Sequence, residues 1–443
     1  MDEQRLERAL RQGPPFGTRY FPSSLAPENA PIVRPAVSVG RLLLVIAVTA
    51  LLLVGLLAGL VAVGMLRNDH GPASNGWLSF TRFGSGPRGP DGWVERDIYL
   101  VRDGEAAHRI VGSDADSLDQ VCPAFSPDGR RLAHGEAEGT ADTGYHDAAL
   151  VISDLDAAGS TSESLRIKVG GTFPPPCAVW SADGRRVAFG VPLTSPRNPD
   201  RSAAGSQVWV ATVADGHVEK LSDLLPTDLE WSPGGSQLAI ASGQTDQVDG
   251  QSLRDGSIRL YDADSGAMRT LVGPSGVGSL TWSPDGSRIA YQRGSGDGAD
   301  MDQEIWMVRV DGSEERLLTR RRFGSIFGVG PVWSPTGDRI VYQRMKNGGT
   351  EAHDVVLVTP DDGSEVVLPD LRLPGTDASA SWRPDSVTWS PDGNELLYSA
   401  WIDGRTGRAL ISRPLAPGAE PVVVQEDIDP SGENRSWGGL PDE

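Results

Sequence analysis

The sequence is poor in the motifs that build hydrolytic or zinc-dependent active sites. It contains neither G-x-S-x-G, which positions a nucleophilic serine, nor H-E-x-x-H, which binds catalytic zinc. Its six histidines are scattered along the chain, and only two cysteines occur. We therefore expect no catalytic residues, no metal and no cofactor. Carboxylates gathered in a central channel would leave a hydrolase or lyase as an alternative.

Basic residues are also few. Lys and Arg number 40 against 60 for Asp and Glu, which gives a formal net charge of −20. The first 66 residues hold six Arg and four acidic residues, so the remainder carries −22. Such a body repels phosphate backbones, and we expect no nucleic-acid partner.

Only one long apolar run is present. Residues 42–66, "LLLVIAVTALLLVGLLAGLVAVGML", contain no charge. As a helix they would rise about 37 Å, enough to cross a bilayer. We predict a cytoplasmic tail over 1–41, a transmembrane signal-anchor helix over 42–66 and a linker over 67–76. Arg34 and Arg41 precede the helix, which favours a cytoplasmic N-terminus and a cell-membrane protein whose large domain lies outside.

Two features of this run leave alternatives open. Residues 62–64 (Ala-Val-Gly) resemble a weak signal-peptidase cleavage site, which would release the large domain. Gly55 and Gly59 form a GxxxG motif that could support a weak homodimer, although glycine is common in membrane helices anyway.

The chain is rich in glycine (54), proline (33) and tryptophan (12), as turn-rich β proteins are. Six near-copies of W-S-P-D-G recur every 51 to 56 residues. Their aromatic residues are Phe125, Trp180, Trp231, Trp282, Trp333 and Trp389. Each copy ends a short strand A and is followed by three further strand-like segments, B, C and D. Four-stranded units repeated at this period predict an all-β propeller.

The count of blades depends on the two ends of the repeat. Residues 77–112 supply strands B, C and D but no strand A. Near the C-terminus, "RSWGG" places Trp437 almost one period after Trp389. We predict that this stretch provides the missing strand, which closes seven blades over 77–440 and protects the sheet edge. Six blades with an N-terminal embellishment are the alternative.

The W-S-P-D-G unit and its following strand resemble the Pro-Asp repeats of TolB-family β-propellers. They are similar also to propellers attached to prolyl-oligopeptidase-type peptidases. The resemblance implies a propeller and a protein-interaction or envelope role. In the pentad, Pro, Asp and Gly suit a tight turn, and the aromatic residues are expected to pack between blades. We interpret the pentads as structural.

Binding is expected on the face that carries the long B–C and D–A loops. Asp297, Asp300, Asp302 and Glu304 fall in a predicted B–C loop, residues 294–304, and could hold Ca²⁺. We favour an acidic solvated loop, since no complete EF-hand pattern is present. A predicted D–A loop carries Arg320, Arg321 and Arg322. They could receive a carboxylate or phosphate, or neutralise the acidic loop.

The two cysteines, Cys122 and Cys177, each precede a repeat aromatic by three residues. An extracytoplasmic location permits a disulfide between them. Equivalent positions on neighbouring blades argue against it, so both states stay open at this point.

These observations predict a non-catalytic, membrane-anchored module that binds a protein partner in the cell envelope. Alternatives are a sensor that signals through the cytoplasmic tail and the channel enzyme mentioned above. Because the tether enters strand B of the first unit, the long-loop face should point away from the membrane.

Overall fold

Every described strand of the computed structural model belongs to one of seven four-stranded antiparallel sheets. The structure describes residues 77–83, 96–102, 106–111, 118–138, 146–156, 158–169, 178–193, 205–223, 225–243, 256–295, 302–322, 330–345, 353–369, 382–402, 408–428 and 435–437. The chain divides into the units Met1–Leu66 and Arg67–Glu443, and the described residues lie in the second.

The first four blades follow the chain. Blade 1 contains β1 (Leu78–Phe83), β2 (Arg96–Val101) and β3 (His108–Val111). Blade 2 contains β4 (Leu118–Phe125), β5 (Arg131–Glu138), β6 (His146–Leu155) and β7 (Thr161–Lys168). Blade 3 contains β8 (Val179–Trp180), β9 (Arg186–Leu193), β10 (Gly205–Thr212) and β11 (Val218–Ser222). Blade 4 contains β12 (Leu225–Trp231), β13 (Gln237–Gly243), β14 (Ser257–Asp262) and β15 (Met268–Val272).

The remaining blades have the same order. Blade 5 contains β16 (Val277–Trp282), β17 (Arg288–Ser295), β18 (Asp302–Arg309) and β19 (Arg316–Arg322). Blade 6 contains β20 (Val332–Trp333), β21 (Ile340–Met345), β22 (His353–Val358) and β23 (Glu365–Val367). Blade 7 contains β24 (Trp382–Trp389), β25 (Glu395–Ile402), β26 (Arg408–Pro414) and β27 (Val422–Ile428). The last strand, β28 (Arg435–Trp437), completes blade 1.

The predicted closure of the ring and the count of seven blades are confirmed. β28 pairs with β1, with Leu78 opposite Trp437 and Phe80 opposite Arg435, which gives the sheet order β28-β1-β2-β3. The first blade therefore combines strands from both ends of the described chain, and separating its two parts would expose a sheet edge.

Among the described residues, the hydrophobic core consists of seven clusters, each lying between two successive blades. One joins Ile98 of blade 1 to Phe125 of blade 2, and another joins Phe80 of blade 1 to Leu397 of blade 7. Side chains alternate along each strand, so one strand contributes to the clusters on both sides. Burial of these apolar side chains, at about 25 cal/mol per Å², is the main force that holds the blades together.

The pentads form tight A–B turns at which glycine is required. In blade 2, the Gly129 N–H donates to the Ser126 carbonyl (2.8 Å), and Gly129 has a φ of 66°. Only glycine adopts this conformation without strain. The Ser126 hydroxyl donates to Asp128 (2.5 Å) and accepts the Arg131 N–H (2.9 Å). These bonds explain the Ser and the Asp of the motif as turn residues.

The tryptophans of the pentads link neighbouring blades by a repeated hydrogen bond. Each Nε1 donates to the carbonyl of the residue just before the aromatic of the preceding blade. The pairs are Trp180 with Ala124 (3.0 Å), Trp231 with Val179 (3.2 Å), Trp282 with Glu230 (3.0 Å) and Trp389 with Val332 (3.0 Å). Trp333 departs from the pattern, because its buried Nε1 has no partner among the described residues.

Among the residues that the structure describes, no helix is long and apolar enough to cross a membrane. The predicted tail, the helix over 42–66 with Gly55 and Gly59, and the linker lie outside the described residues. They stay predictions.

Candidate functional site

The predicted acidic loop of blade 5 is corrected by the structure. Asp302 and Glu304 belong to β18, and residues 294 and 295 belong to β17, so the connection between the strands is shorter than the predicted 294–304. Asp297 and Asp300 lie outside the described residues. In the described part of the chain, no group of three or more His, Cys, Asp or Glu is placed to hold a metal ion.

The predicted loop position of the three arginines is also wrong. Arg320, Arg321 and Arg322 end strand β19 and do not lie in a D–A loop. Their backbones are opposite Glu304, Gln303 and Asp302 of β18, respectively. In the sequence, this run of charged residues did not look like a strand. In the structure, the run is paired with β18 across the sheet.

The best-defined of these pairs is an ion pair. Glu304 is 2 % exposed, and its Oε1 lies 2.7 Å from Arg320 Nε. Its Oε2 accepts a hydrogen bond from Trp306 Nε1 (2.6 Å). This geometry supports the neutralising role of Arg320 and not a free anion-binding site.

Cys122 lies in β4 with a left-handed backbone (φ 59°), and it is disulfide-bonded. Cys177 lies outside the described residues. The Cys122–Cys177 bond was left open by the sequence; since the sequence holds only these two cysteines, the bond at Cys122 makes Cys177 the expected partner. Thiol titration of the unfolded chain should find no free thiol without reductant and two with it.

The most distinctive chemistry among the described residues lies at the innermost strands of blades 3 to 6. A cavity of about 510 Å³ is lined there by residues of β8, β9, β12, β16 and the start of blade 6. Its polar side chains are those of Thr227, Asp228, Glu230, Ser279 and Thr281. The two carboxylates are its only ionisable groups among the described lining residues.

Strand periodicity brings these carboxylates together. Asp228 and Glu230 are two residues apart in β12, so both side chains are on the same face of the strand, while Leu229 between them packs in the core. Both acidic residues are half-buried.

The carboxylates accept backbone hydrogen bonds from the next blade. Asp228 Oδ2 accepts the Leu280 N–H (3.0 Å), and Glu230 Oε2 accepts the Trp282 N–H (3.1 Å). β12 and β16 belong to different sheets and do not form a ladder, so the carboxylates satisfy donors that would otherwise be left unpaired. The pair therefore joins blades 4 and 5.

The surroundings favour the protonated forms. Burial raises the pKa of Asp228 to about 6, although hydrogen bonds from the Leu280 and Leu229 N–H groups oppose the rise. Burial, followed by the charge of Asp228, raises the pKa of Glu230 well above its ordinary value. No Lys, Arg or His is present among the described lining residues to balance the two charges.

A glycine keeps one wall of the cavity open. A Cβ at Gly330 would lie 1.6 Å from Ser279 Oγ, which is far inside any allowed contact. Ser279 Oγ donates in turn to Gln292 (3.4 Å). Blade 6 thus comes close to blade 5 only because this position has no side chain.

No motif in the sequence points to these two residues, although the repeat contains a signal. Asp228 and Glu230 stand three and one residues before the repeat aromatic. The other copies have Cys122 and Ala124, Cys177 and Val179, Ser279 and Thr281, Gly330 and Val332, and Ser386 and Thr388 at these positions. A comparison of the repeats position by position would have shown that one blade alone has carboxylates there.

Comparisons with known proteins agree with this fold. The chain resembles the β-propeller domain of the trilobed protease from Pyrococcus furiosus, with a TM-score of 0.51 and 12 % identity over 81 % of this chain and 95 % of that one. TolB from Acinetobacter baumannii is also similar, with a TM-score of 0.45 and 14 % identity over 82 % of each chain. The chain is a seven-bladed β-propeller, and TolB-like β-propellers are among its structural neighbours, as the repeats suggested.

Sequence relatives match only in part, and no protein-family model matches the chain. An uncharacterised protein of Agrobacterium fabrum is 30 % identical over 177 residues, which is 38 % of this chain and 52 % of the relative. Lipoprotein LpqB of Mycobacterium tuberculosis is 28 % identical over 262 residues, 56 % of this chain and 40 % of the relative. Dipeptidyl-peptidase 5 of Aspergillus fumigatus is 28 % identical over 173 residues, 33 % and 22 % respectively. The chain therefore spans about half the length of these relatives or less.

Proposed function

We propose that this chain is a membrane-anchored propeller of the cell envelope that binds a protein partner through its long-loop face. The observation that carries the proposal is the difference between the two faces of the ring. The A–B turns that are bounded by described strands span five or six residues, as between Phe125 and Arg131. Their backbone hydrogen bonds repeat from blade to blade.

The opposite face has no such uniformity. Its B–C connections range from 403–407, between β25 and β26, to 244–256, between β13 and β14. Its D–A connections range from 223–224, between β11 and β12, to 368–381, between β23 and β24. Varied connections on a rigid scaffold are the usual place for specific recognition.

The comparisons and the charge add support for the location and the type of partner. The match to a mycobacterial lipoprotein fits an envelope protein, and the apolar segment 42–66 would supply the anchor. The acidic body fits a protein partner better than nucleic acid. The carboxylates of the cavity are the observation on which the channel-enzyme alternative would depend. They share one strand and one face, an arrangement that suits binding better than catalysis from two sides of a substrate.

Photo-crosslinking in intact cells tests the proposal. A photoreactive residue at Asp223, in the connection between blades 3 and 4 on the long-loop face, should give a discrete crosslinked product with another protein. The matched control is Asp264, in the C–D turn of blade 4, whose side chain is 74 % exposed against 69 % for Asp223. Equal crosslinking from both positions, or crosslinking from Asp264 alone, would contradict the assignment of the face.

A further inference from the structure

The carboxylates of the cavity have no cationic partner among the described lining residues. Charged groups that leave water are normally paired with an opposite charge or a metal ion, because desolvation is costly. Asp228 and Glu230 have backbone N–H partners but no ion pair in the described part of the chain. The cavity beside them has room for several non-hydrogen atoms.

A second group without a described partner lies at the boundary between blades 5 and 6. Trp333 is 7 % exposed, and its Nε1 has no partner among the described residues. In four other blades this donor is bonded to the carbonyl that precedes the previous aromatic, and the equivalent residue here is Thr281, which lines the cavity. The regular hydrogen bond is therefore missing at a boundary that the cavity touches.

The neutral groups around the carboxylates are oxygen acceptors. The Thr281 side chain is hydrogen-bonded to Glu230, and the Ser279 hydroxyl also lines the cavity. A primary ammonium has three N–H donors, which two carboxylates and a hydroxyl can accept together. Ca²⁺ needs six to eight oxygen ligands, more than this wall offers with both oxygens of Asp228 and one of Glu230 already bonded to N–H groups.

We propose that this cavity binds a primary ammonium group between Asp228 and Glu230, with the Ser279 and Thr281 hydroxyls as neutral acceptors. The proposal is independent of the loop-face partner. The same group could arrive as a free alkylamine or as the lysine side chain of another protein. In both cases the ammonium replaces the proton that the carboxylates hold when the cavity is empty.

Calorimetric titration of the full-length chain tests the proposal. The probes are n-butylamine for a free amine and Nα-acetyl-lysine-N-methylamide for a lysine side chain. We expect saturable binding of at least one probe, and the one that binds identifies the source. Comparison of cacodylate and MES buffers at pH 6 should show proton release on binding. The affinity should increase about tenfold or more from pH 5 to pH 8, because the ammonium binds the ionised pair.

Matched ligands and variants make the result specific. Tetramethylammonium has the charge without N–H donors, and n-butanol has the shape without the charge, so both should bind at least tenfold more weakly. Asp228→Asn and Glu230→Gln, measured singly, should each weaken binding of the active probe at least tenfold. Asp361→Asn, which changes a carboxylate that is 86 % exposed, should leave it unchanged.

Several outcomes would overturn the proposal. They are no saturable binding of either probe, equal binding of tetramethylammonium, and unchanged affinity in both single variants. If a variant fails to fold, the measurement on the unmodified chain still tests the proposal. Binding without proton release at pH 6 would contradict the proposed exchange.

Discussion

Two pairs of acidic residues with the same spacing have opposite surroundings in neighbouring blades. Asp302 and Glu304 are two apart on β18 of blade 5, and Glu304 is balanced by Arg320 across the sheet. Asp228 and Glu230 are two apart on β12 of blade 4 and face a cavity without a described cation. The first pair is conspicuous in the sequence but has a structural role, whereas the second is inconspicuous and marks a candidate site.

The difference shows that the number of charges in a segment is a weak guide to binding. A buried carboxylate with an arginine partner has its charge compensated by the fold. A carboxylate held only by backbone N–H groups keeps part of its charge uncompensated, and its pKa rises. The following predictions test this contrast.

The largest loss of stability is expected when the ion pair between Glu304 and Arg320 is broken. Arg320→Gln should lower the free energy of unfolding by about 2–3 kcal/mol, because the buried Glu304 would lose its close ion pair with Arg320. Urea unfolding at pH 7 measures the change. Arg309→Gln in the same blade is the control, since Arg309 and Glu314 form a long, exposed pair, and we expect less than about 0.5 kcal/mol there. Equal losses in the two variants would show that Glu304 does not depend on Arg320.

Removing a charge from the pair Asp228 and Glu230 should change the free energy of unfolding in the opposite direction. The pKa of Asp228 is about 6 in the folded chain and about 4 in an unfolded one, so the folded state binds the proton more tightly. Its contribution to stability is complete below pH 4 and is lost as the pH rises to 6. Asp228→Asn removes this loss, and at pH 8 it should raise the free energy of unfolding by up to about 2 kcal/mol.

Below pH 4 the same variant should differ little from the unmodified chain, because Asp228 is then protonated in both states. Urea unfolding at pH 3.5 and at pH 8 gives the two values. A variant that is less stable at pH 8 than the unmodified chain would show that the ionised carboxylate stabilises the contact between blades 4 and 5.

The repeat predicted most of the fold because each pentad encodes its own turn. Ser126, Asp128 and Gly129 make the bonds that their residue types suggest, and the spacing of the aromatics gives the blades. The closure by Trp437 was also predictable, since one unit lacked a strand and one fragment was left over.

The candidate site was not predictable to the same degree, because it depends on contacts between blades. Within blade 5, the sequence suggested that the arginines could neutralise the acidic segment, but the partner of Glu304 becomes clear only when β18 and β19 pair. The carboxylates of β12 look like ordinary strand residues until Leu280 and Trp282 of the next blade approach them. Sequence distance hides this contact between blades, although an alignment of the repeats would have shown that Asp228 and Glu230 are exceptional.

The smallest predicted effect is a difference in stability between variants of two tryptophans. The indole N–H of Trp282 donates to the Glu230 carbonyl, whereas that of Trp333 has no described partner. Trp282→Phe removes the hydrogen bond to the Glu230 carbonyl and leaves that buried acceptor unmet. Trp333→Phe removes a similar volume but no hydrogen bond within the described chain. We therefore expect Trp282→Phe to lower the free energy of unfolding by about 1 kcal/mol more than Trp333→Phe does. Urea unfolding of both variants, with Trp389→Phe as a second bonded example, measures the difference. An equal or larger loss in Trp333→Phe would mean that its indole N–H is satisfied in the native protein, and the contrast between the two boundaries of blade 5 would fail.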